Sequence, residues 1–195
     1  VERDQLVEEY DAYYTANPGK WAAVARVKFA WKATRHLAPT SILDVGCGNG
    51  HALEYFKGRY PEADLFGIDL SPVACELAYK RSGAHIENVF IEDYRPGRKF
   101  DLVLCLGTAE HFTDPLAGLQ AIRELVGGRF YLEIPNCLSY SPGEDGYRRL
   151  AFGSRQMEWH WPRSRWEKAI KEAGFAIEES LVGLSPSWEF VWILR

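Results

Sequence analysis

Ile42-Leu43-Asp44-Val45-Gly46-Cys47-Gly48-Asn49-Gly50 sets a short apolar run directly against a glycine-rich turn, with helical spacing starting at His51. Gly46 and Gly48 let the backbone turn tightly and let a ligand approach, because no Cβ stands in the way. A buried strand that feeds a helix in this manner is the opening unit of a parallel α/β sheet. The chain then repeats the unit. Strands are predicted at Leu65–Leu70, Ile86–Ile91, Asp101–Leu106 and Phe130–Ile134, with helices at His51–Tyr60, Pro72–Arg81 and Pro115–Val126 between them. Pro115 is well placed at a helix start.

The two ends depart from this rhythm. Asp4–Tyr14 and Trp21–His36 carry apolar residues at helical spacing on either side of Pro18-Gly19, a pair that either lies over one end of the sheet or covers its flank. At the other end a helix at Pro162–Ala173 precedes strands at Phe175–Val182 and Trp188–Leu194. Only Gly183–Pro186 links those strands, and so short a link demands an antiparallel hairpin. The expected fold is α/β and doubly wound, a seven-stranded mixed sheet with a reversed C-terminal strand near an edge and helices on both faces. All 195 residues fit a single domain (1–195), with a helical cap at 1–38 and an insertion at 137–161.

The glycine spacing is G-x-G-x-G rather than the G-x-G-x-x-G of a dinucleotide binder, and no lysine follows to hold a nucleotide phosphate. Asp44 at the entrance of the turn suits a cationic ligand better than a pyrophosphate. Asp69, nineteen residues beyond Gly50 at the end of the second strand, can accept both hydroxyls of an adenosine ribose, and Leu70 can lean on an adenine. Asp93, with Tyr94 beside it, follows the third strand, where a carboxylate can accept an adenine amino group.

Taken together, Ile42–Gly50, Phe66-Gly67-Ile68-Asp69-Leu70-Ser71, Ile91-Glu92-Asp93-Tyr94, Phe100–Gly107 and Phe130–Asn136 resemble the motifs of class I S-adenosylmethionine-dependent methyltransferases, and the terminal hairpin agrees with that family's reversed seventh strand. The resemblance runs from about Tyr10 to Arg195. It implies a Rossmann-like fold that binds S-adenosylmethionine across the C-terminal ends of the strands and leaves S-adenosylhomocysteine. By the same likeness, Gly46, Cys47, Gly48 and Gly50 line the methionine part, Asp69 holds the ribose, Leu106 supplies backbone near the sulfonium, and Tyr14 closes over the cofactor with Tyr13.

Methyl transfer from a sulfonium needs neither a metal nor a covalent nucleophile, only alignment and, for a protonated acceptor, a base. Ala109-Glu110-His111-Phe112 sits just past the fourth strand, where an acceptor would lie. Imidazole is the side chain that changes charge near neutrality, so His111 is the first candidate base. Its rival role is to pin the loop by hydrogen bonding or to position the acceptor without proton transfer. Glu110 either orients it or caps the helix at Asp114-Pro115. Here the resemblance is to the ubiquinone-biosynthesis-like small-molecule methyltransferases, which carry a Glu-His pair followed by Asp-Pro. His160 is the second candidate. It stands in Glu158-Trp159-His160-Trp161-Pro162, where tryptophans, with Trp166, Tyr140 and Tyr147, either wall an acceptor site or pack the insertion against the sheet.

Composition narrows the partners. Hydrophobic residues make up 47% and the formal charge is −4, which fits a globular protein without a broad basic surface. Arg148, Arg149, Arg155, Arg163, Arg165 and Lys168 face an anion or water. No apolar run approaches a membrane span, no signal peptide is visible, and Cys47, Cys75, Cys105 and Cys137 form no CxxC pair. The expectation is a cytoplasmic monomer or homodimer that methylates oxygen or nitrogen of a small soluble acceptor, without nucleic acid, membrane or metal. The alternatives are methylation of RNA or a protein side chain, and S-adenosylmethionine binding without turnover.

Overall fold

The computed structural model describes residues 2–18, 24–136, 146–149, 157–182 and 189–195. Two helices come first, α1 (Arg3–Ala16) and α2 (Val24–Thr34). The alternating part follows as β1 (Ser41–Val45), α3 (His51–Lys57), β2 (Asp64–Asp69), α4 (Pro72–Ser82), β3 (His85–Asn88), β4 (Phe100–Leu106), α5 (Pro115–Leu125) and β5 (Val126–Pro135). A small hairpin, β6 (Gly146–Arg149) and β7 (Met157–His160), precedes α6 (Arg163–Glu172), β8 (Ile177–Val182) and β9 (Glu189–Leu194). The seven-stranded sheet has the order β3-β2-β1-β4-β5-β9-β8. The first five strands are parallel, and β9 lies antiparallel to both β5 and β8, one place in from the edge.

Both faces of the sheet are buried, which explains why its central strands read as unbroken apolar runs. Side chains alternate across them. Ile42, Leu102, Leu104 and Tyr131 meet α2, α3 and α4 through Val27, Ala30, Leu53, Phe56 and Ala78. Leu43, Val103, Phe130, Leu132 and Trp192 meet α5 and α6 through Leu119, Ile122, Trp166 and Ile170. Capping at α4 and α5 follows from the sequence. Ser71 Oγ accepts from Ala74 N, and Asp114 accepts from Leu116 N and Ala117 N, each just ahead of a proline in the first helical turn.

Several expectations are corrected. The third strand ends at Asn88 rather than Ile91, because Ile91–Asp93 winds into a 3-10 turn. The fifth begins at Val126, four residues before Phe130, and takes over the last predicted residue of α5. Asp114 caps α5 itself, so Glu110 has no capping role. The hairpin β6–β7 lies in a stretch with no apolar periodicity and was not predicted.

The two N-terminal helices take different places. α2 packs on the flank of the sheet, whereas α1 lies over the carboxyl ends of β1 and β2. Asp11 accepts from Ser71 Oγ and from Val73 N (3.2 Å) at the start of α4, and Arg3 pairs with Asp93 beyond β3. The sheet order reverses between β1 and β4. In an open α/β sheet, the crevice outside the strand ends at that reversal is where a ligand binds.

Candidate active site

A cavity of about 350 Å³ opens at that point, within the range typical of small-molecule sites. Its floor on the β1–β2 side is the glycine turn. Gly46 N and Cys47 N both donate to Ile68 O, at 2.9 and 3.0 Å, and tie the turn to β2. Gly46 has φ +71° and Gly48 φ +52°. A Cβ on Gly46 would stand 2.2 Å from Thr108 Cγ2, and one on Gly48 would stand 2.7 Å from the Tyr14 hydroxyl. Glycine suits both places, for conformational and steric reasons together. Gly48 N donates to Asp69 Oδ2 (2.9 Å) and Ser71 N donates to Asp69 Oδ1 (3.0 Å), so the carboxylate is fixed with lone pairs left for a ligand.

Burial dominates the electrostatics. It pushes the Asp44 carboxyl up to about 8, with the nearby Asp69 adding to the shift. The Asp69 carboxyl is pushed up to about 6, held down in part by the backbone donors of Ser71 and Gly48. Burial also raises the Tyr14 hydroxyl, again helped by Asp69. Two adjacent buried acids of this kind favour a cation, whose charge would stabilise both carboxylates.

Residues past β4 and on β7 form the opposite side. His111 Nδ1–H donates to the Met157 carbonyl at 2.6 Å; a carbonyl oxygen only accepts, so Nδ1 carries a proton and, in the neutral ring, Nε2 is the nitrogen with the lone pair. The ring packs edge-on against Tyr10 of α1, with centroids 6.0 Å apart. Glu110 Oε1 lies 3.7 Å from Nε2, too far for a hydrogen bond. Glu110 is 1% exposed, and its Oε2 has no hydrogen-bond partner among the described residues. Burial raises its carboxyl above the ordinary value, while the imidazolium form of His111 and the Arg26 guanidinium pull it back. Glu158, also 1% exposed, lines the same cavity and accepts from His160 Nε2 at 3.0 Å. Arg26 enters from α2, pairs with the buried Glu133 of β5, lies 3.8 Å from Glu189, and approaches Gly107.

Of the residues expected at the cofactor, Asp44, Gly46, Cys47, Gly48, Asp69, Leu70, Leu106 and Tyr14 line the cavity. Three expectations are corrected there. Gly50 faces α4, where a Cβ would meet Ala78 Cα at 2.7 Å, so its work is helix packing. Asp93 points outward to Arg3, and the 3-10 turn directs the neighbouring Glu92 into the cavity instead. Tyr94 is 2% exposed in the core on the α5 side.

Of the acceptor-side candidates, Glu110 and His111 line the cavity, while His160 stands behind Glu158 as its donor. Trp159, Trp161 and Trp166 do not wall the site. Trp159 Nε1 donates to Phe112 O (2.8 Å), and Trp161 stacks on the fully buried Trp166 at 4.7 Å. Tyr140, Trp188 and Cys137 lie outside the described residues, as does the side chain of Tyr147. Arg26, Glu92 and Glu133 were missed by sequence reasoning. Glu133 carried a signal, being a charge inside an apolar strand; Arg26 carried none. Among the described residues, no cluster of His, Cys, Asp or Glu is arranged to hold a metal ion, and no helix is long and apolar enough to cross a membrane.

Comparison with known proteins agrees with this geometry. Residues 16–180 match the family model described as a methyltransferase domain. The chain is 38% identical over 109 residues to a ubiquinone biosynthesis O-methyltransferase of Thiobacillus denitrificans, covering 51% of this chain and 46% of that protein. It is 37% identical over 100 residues to the dTDP-4-amino-2,3,4,6-tetradeoxy-D-glucose N,N-dimethyltransferase of Saccharopolyspora spinosa, covering 50% and 39%. The chain thus spans less than half the length of either relative. Among solved structures it is similar to the 1,6-didemethyltoxoflavin-N1-methyltransferase of Burkholderia thailandensis, crystallised with S-adenosylhomocysteine. That match has a TM-score of 0.74 at 18% identity and covers 100% of this chain and 90% of the other. On its motifs, sheet order and family match, the chain belongs to the class I S-adenosylmethionine-dependent methyltransferases.

Proposed function

We propose that this chain transfers the methyl group of S-adenosylmethionine to an oxygen or nitrogen of a small acceptor. The observation that carries the reading is a single cavity in which the Gly46–Gly48 cradle and Asp69 face the same space as Glu110 and His111. The residues fit the cofactor. The positive-φ glycines leave room where a Cβ would intrude, Asp69 offers fixed lone pairs to a ribose diol, Leu70 offers an apolar side to the adenine, and Asp44 sets a negative charge beside the turn. Bound there, S-adenosylmethionine supplies an electrophilic methyl group on sulfur. The chain's own part is to align the acceptor, exclude water beneath α1, and take a proton at His111 Nε2, the nitrogen left unprotonated by the Met157 contact. Curated relatives named for amino-sugar and ubiquinone-precursor methylation support a small acceptor over a macromolecule.

Asp69→Ala is expected to weaken S-adenosylhomocysteine binding at least tenfold by calorimetry, since a fixed charged acceptor contributes about 1.5–3 kcal/mol. Unchanged affinity would remove Asp69 from the ribose site, and no binding by the unsubstituted chain would remove the reading itself.

Cofactor binding is also expected to depend on pH. Asp69 and Asp44 hold protons up to about 6 and about 8, and a cation entering beside them favours both carboxylates. Binding therefore releases protons, and affinity for S-adenosylmethionine rises roughly fivefold to tenfold between pH 6 and 8.5. The sign for the fold alone is the reverse. Between pH ~4, where free carboxyls ionise, and the raised folded values, the folded chain keeps protons the unfolded chain has lost, so these groups make stability fall as pH rises. Calorimetry in buffers of different ionisation heat counts the released protons; an uptake of protons, or a flat profile, would contradict the assignment.

A further inference from the structure

α1 roofs the glycine turn, yet little apolar surface holds it there. Leu6, Tyr10, Tyr13 and Tyr14 of this helix line the cavity, and the Tyr14 hydroxyl stands where a Gly48 side chain would be. Leu6 is the one fully buried residue among its fourteen. A helix of that length is marginal in water without tertiary support, so its contacts with the body decide whether it stays in place. Arg3 pairs with Asp93 and lies over the Phe90 ring at 4.5 Å, but the two charged side chains are 52% and 54% exposed, and such a pair holds little. Asp11 is different. Its Oδ1 accepts from the hydroxyl of the fully buried Ser71 and from Val73 N at 3.2 Å. Ser71 is a junction. Its N–H donates to Asp69 Oδ1 at 3.0 Å, and its Oγ accepts from Ala74 N at 3.1 Å in the first turn of α4. Hydrogen bonds to a carboxylate are among the strong ones. They are also exchanged for water when the partners separate, so this contact comes apart without exposing an apolar face.

Resting on the methyltransferase reading, we propose that α1 is the gate of the cofactor site and that Asp11, bonded to Ser71, is its bolt. With the bolt made, the helix covers the Gly46–Gly48 cradle; with it broken, the helix lifts and S-adenosylmethionine or S-adenosylhomocysteine passes. Asp11 acts through Ser71 and touches no reacting atom, so it is a positioning residue that sets the rate of cofactor exchange. In a gated site, entry scales with the open fraction of the free protein and exit with the open fraction of the complex. Weakening the bolt therefore raises both rates. A residue that grips the cofactor directly changes mainly the exit rate.

The test follows association and dissociation of S-adenosylhomocysteine on the whole immobilised chain by surface plasmon resonance. Asp11→Ala is expected to raise both rate constants at least tenfold, with Kd changed less than threefold. Asp11→Asn keeps an accepting oxygen without the charge and is expected to fall between the two. A faster dissociation alone overturns the gate and makes Asp11 part of the grip on the cofactor. Unchanged rates overturn it as well. Hydrogen exchange of the unsubstituted chain is the second measurement and needs no variant to fold. The α1 amides are expected to exchange at least tenfold faster than those of β1 and β4, and to slow on saturation with S-adenosylhomocysteine. Exchange of α1 only together with the sheet, or at a rate indifferent to the ligand, overturns the inference and leaves the cofactor site intact. Failure of the unsubstituted chain to bind S-adenosylhomocysteine overturns the methyltransferase reading, and the gate falls with it.

Discussion

Arg26→Met is expected to destabilise the fold by about 3–5 kcal/mol at pH 8–9 and by far less at pH 5, measured by urea unfolding. Glu133 is 1% exposed on β5, and Arg26 is the cation paired with it. Burial pushes the Glu133 carboxyl up to about 7 even with the guanidinium pulling it down. Without Arg26 it rises further. The folded variant then keeps a proton on Glu133 over a wider span above ~4.3, where the unfolded chain has lost it, so stability declines with pH across that wider span. At pH 5 Glu133 is largely neutral with or without its partner, and the two proteins differ little. At pH 9 the variant must either bury an unanswered charge or hold a proton against the solution. The double substitution Arg26→Met with Glu133→Leu is expected to recover most of the loss, because a buried ion pair exchanged for apolar groups of similar volume is often neutral or better. An equal loss at both pH values would show that Arg26 acts through packing alone.

That pair also marks the limit of what a single sequence discloses here. The parallel core was legible because Ile42–Val45, Leu65–Ile68 apart from Phe66, and Leu102–Cys105 are buried, so apolar runs mark them without tertiary knowledge. The glycine turn was legible because positive φ and close approach leave few residues that fit. The hairpin β6–β7 was hidden by an inverted pattern. In Met157–His160 the residues that turn inward are Glu158 and His160, with Met157 and Trp159 only half-buried, so alternation is present but its buried members are polar and hydrogen-bond to each other. Glu92 and Asp93 are chemically near-equivalent neighbours. Only the 3-10 turn decides which one faces the cavity, and nothing in a pair of adjacent acids announces that turn. Arg26 reads as one more basic residue on a helix surface, and its role depends on how α2 sits against β5, across 107 residues of chain.

The same dependence on distant chain governs the largest kinetic effect. His111→Ala is expected to lower kcat by roughly 10²–10⁴-fold, the usual contribution of a positioned general base, with S-adenosylhomocysteine affinity changed less than threefold. The expectation rests on geometry that the residue identity alone does not provide. A free imidazole shares its proton between two nitrogens, whereas the Met157 carbonyl at 2.6 Å holds it on Nδ1 and leaves Nε2 as the accepting atom. Nitrogen-detected NMR of the histidine side chains checks this directly, with the His111 signal expected in the Nδ1–H pattern and lost in the variant. For the kinetic part, labelled methyl transfer is followed to the acceptor that a metabolite screen returns. His111→Gln separates the roles further: it can still hydrogen-bond but cannot accept a proton as a base, so it should restore binding of the acceptor without restoring kcat. If His111→Gln restores kcat as well, the residue positions the acceptor and the proton leaves by another route. If cofactor affinity collapses in His111→Ala, the ring is a structural brace between Tyr10 of α1 and the carbonyl of Met157, and removing it opens the lid instead of disarming a base.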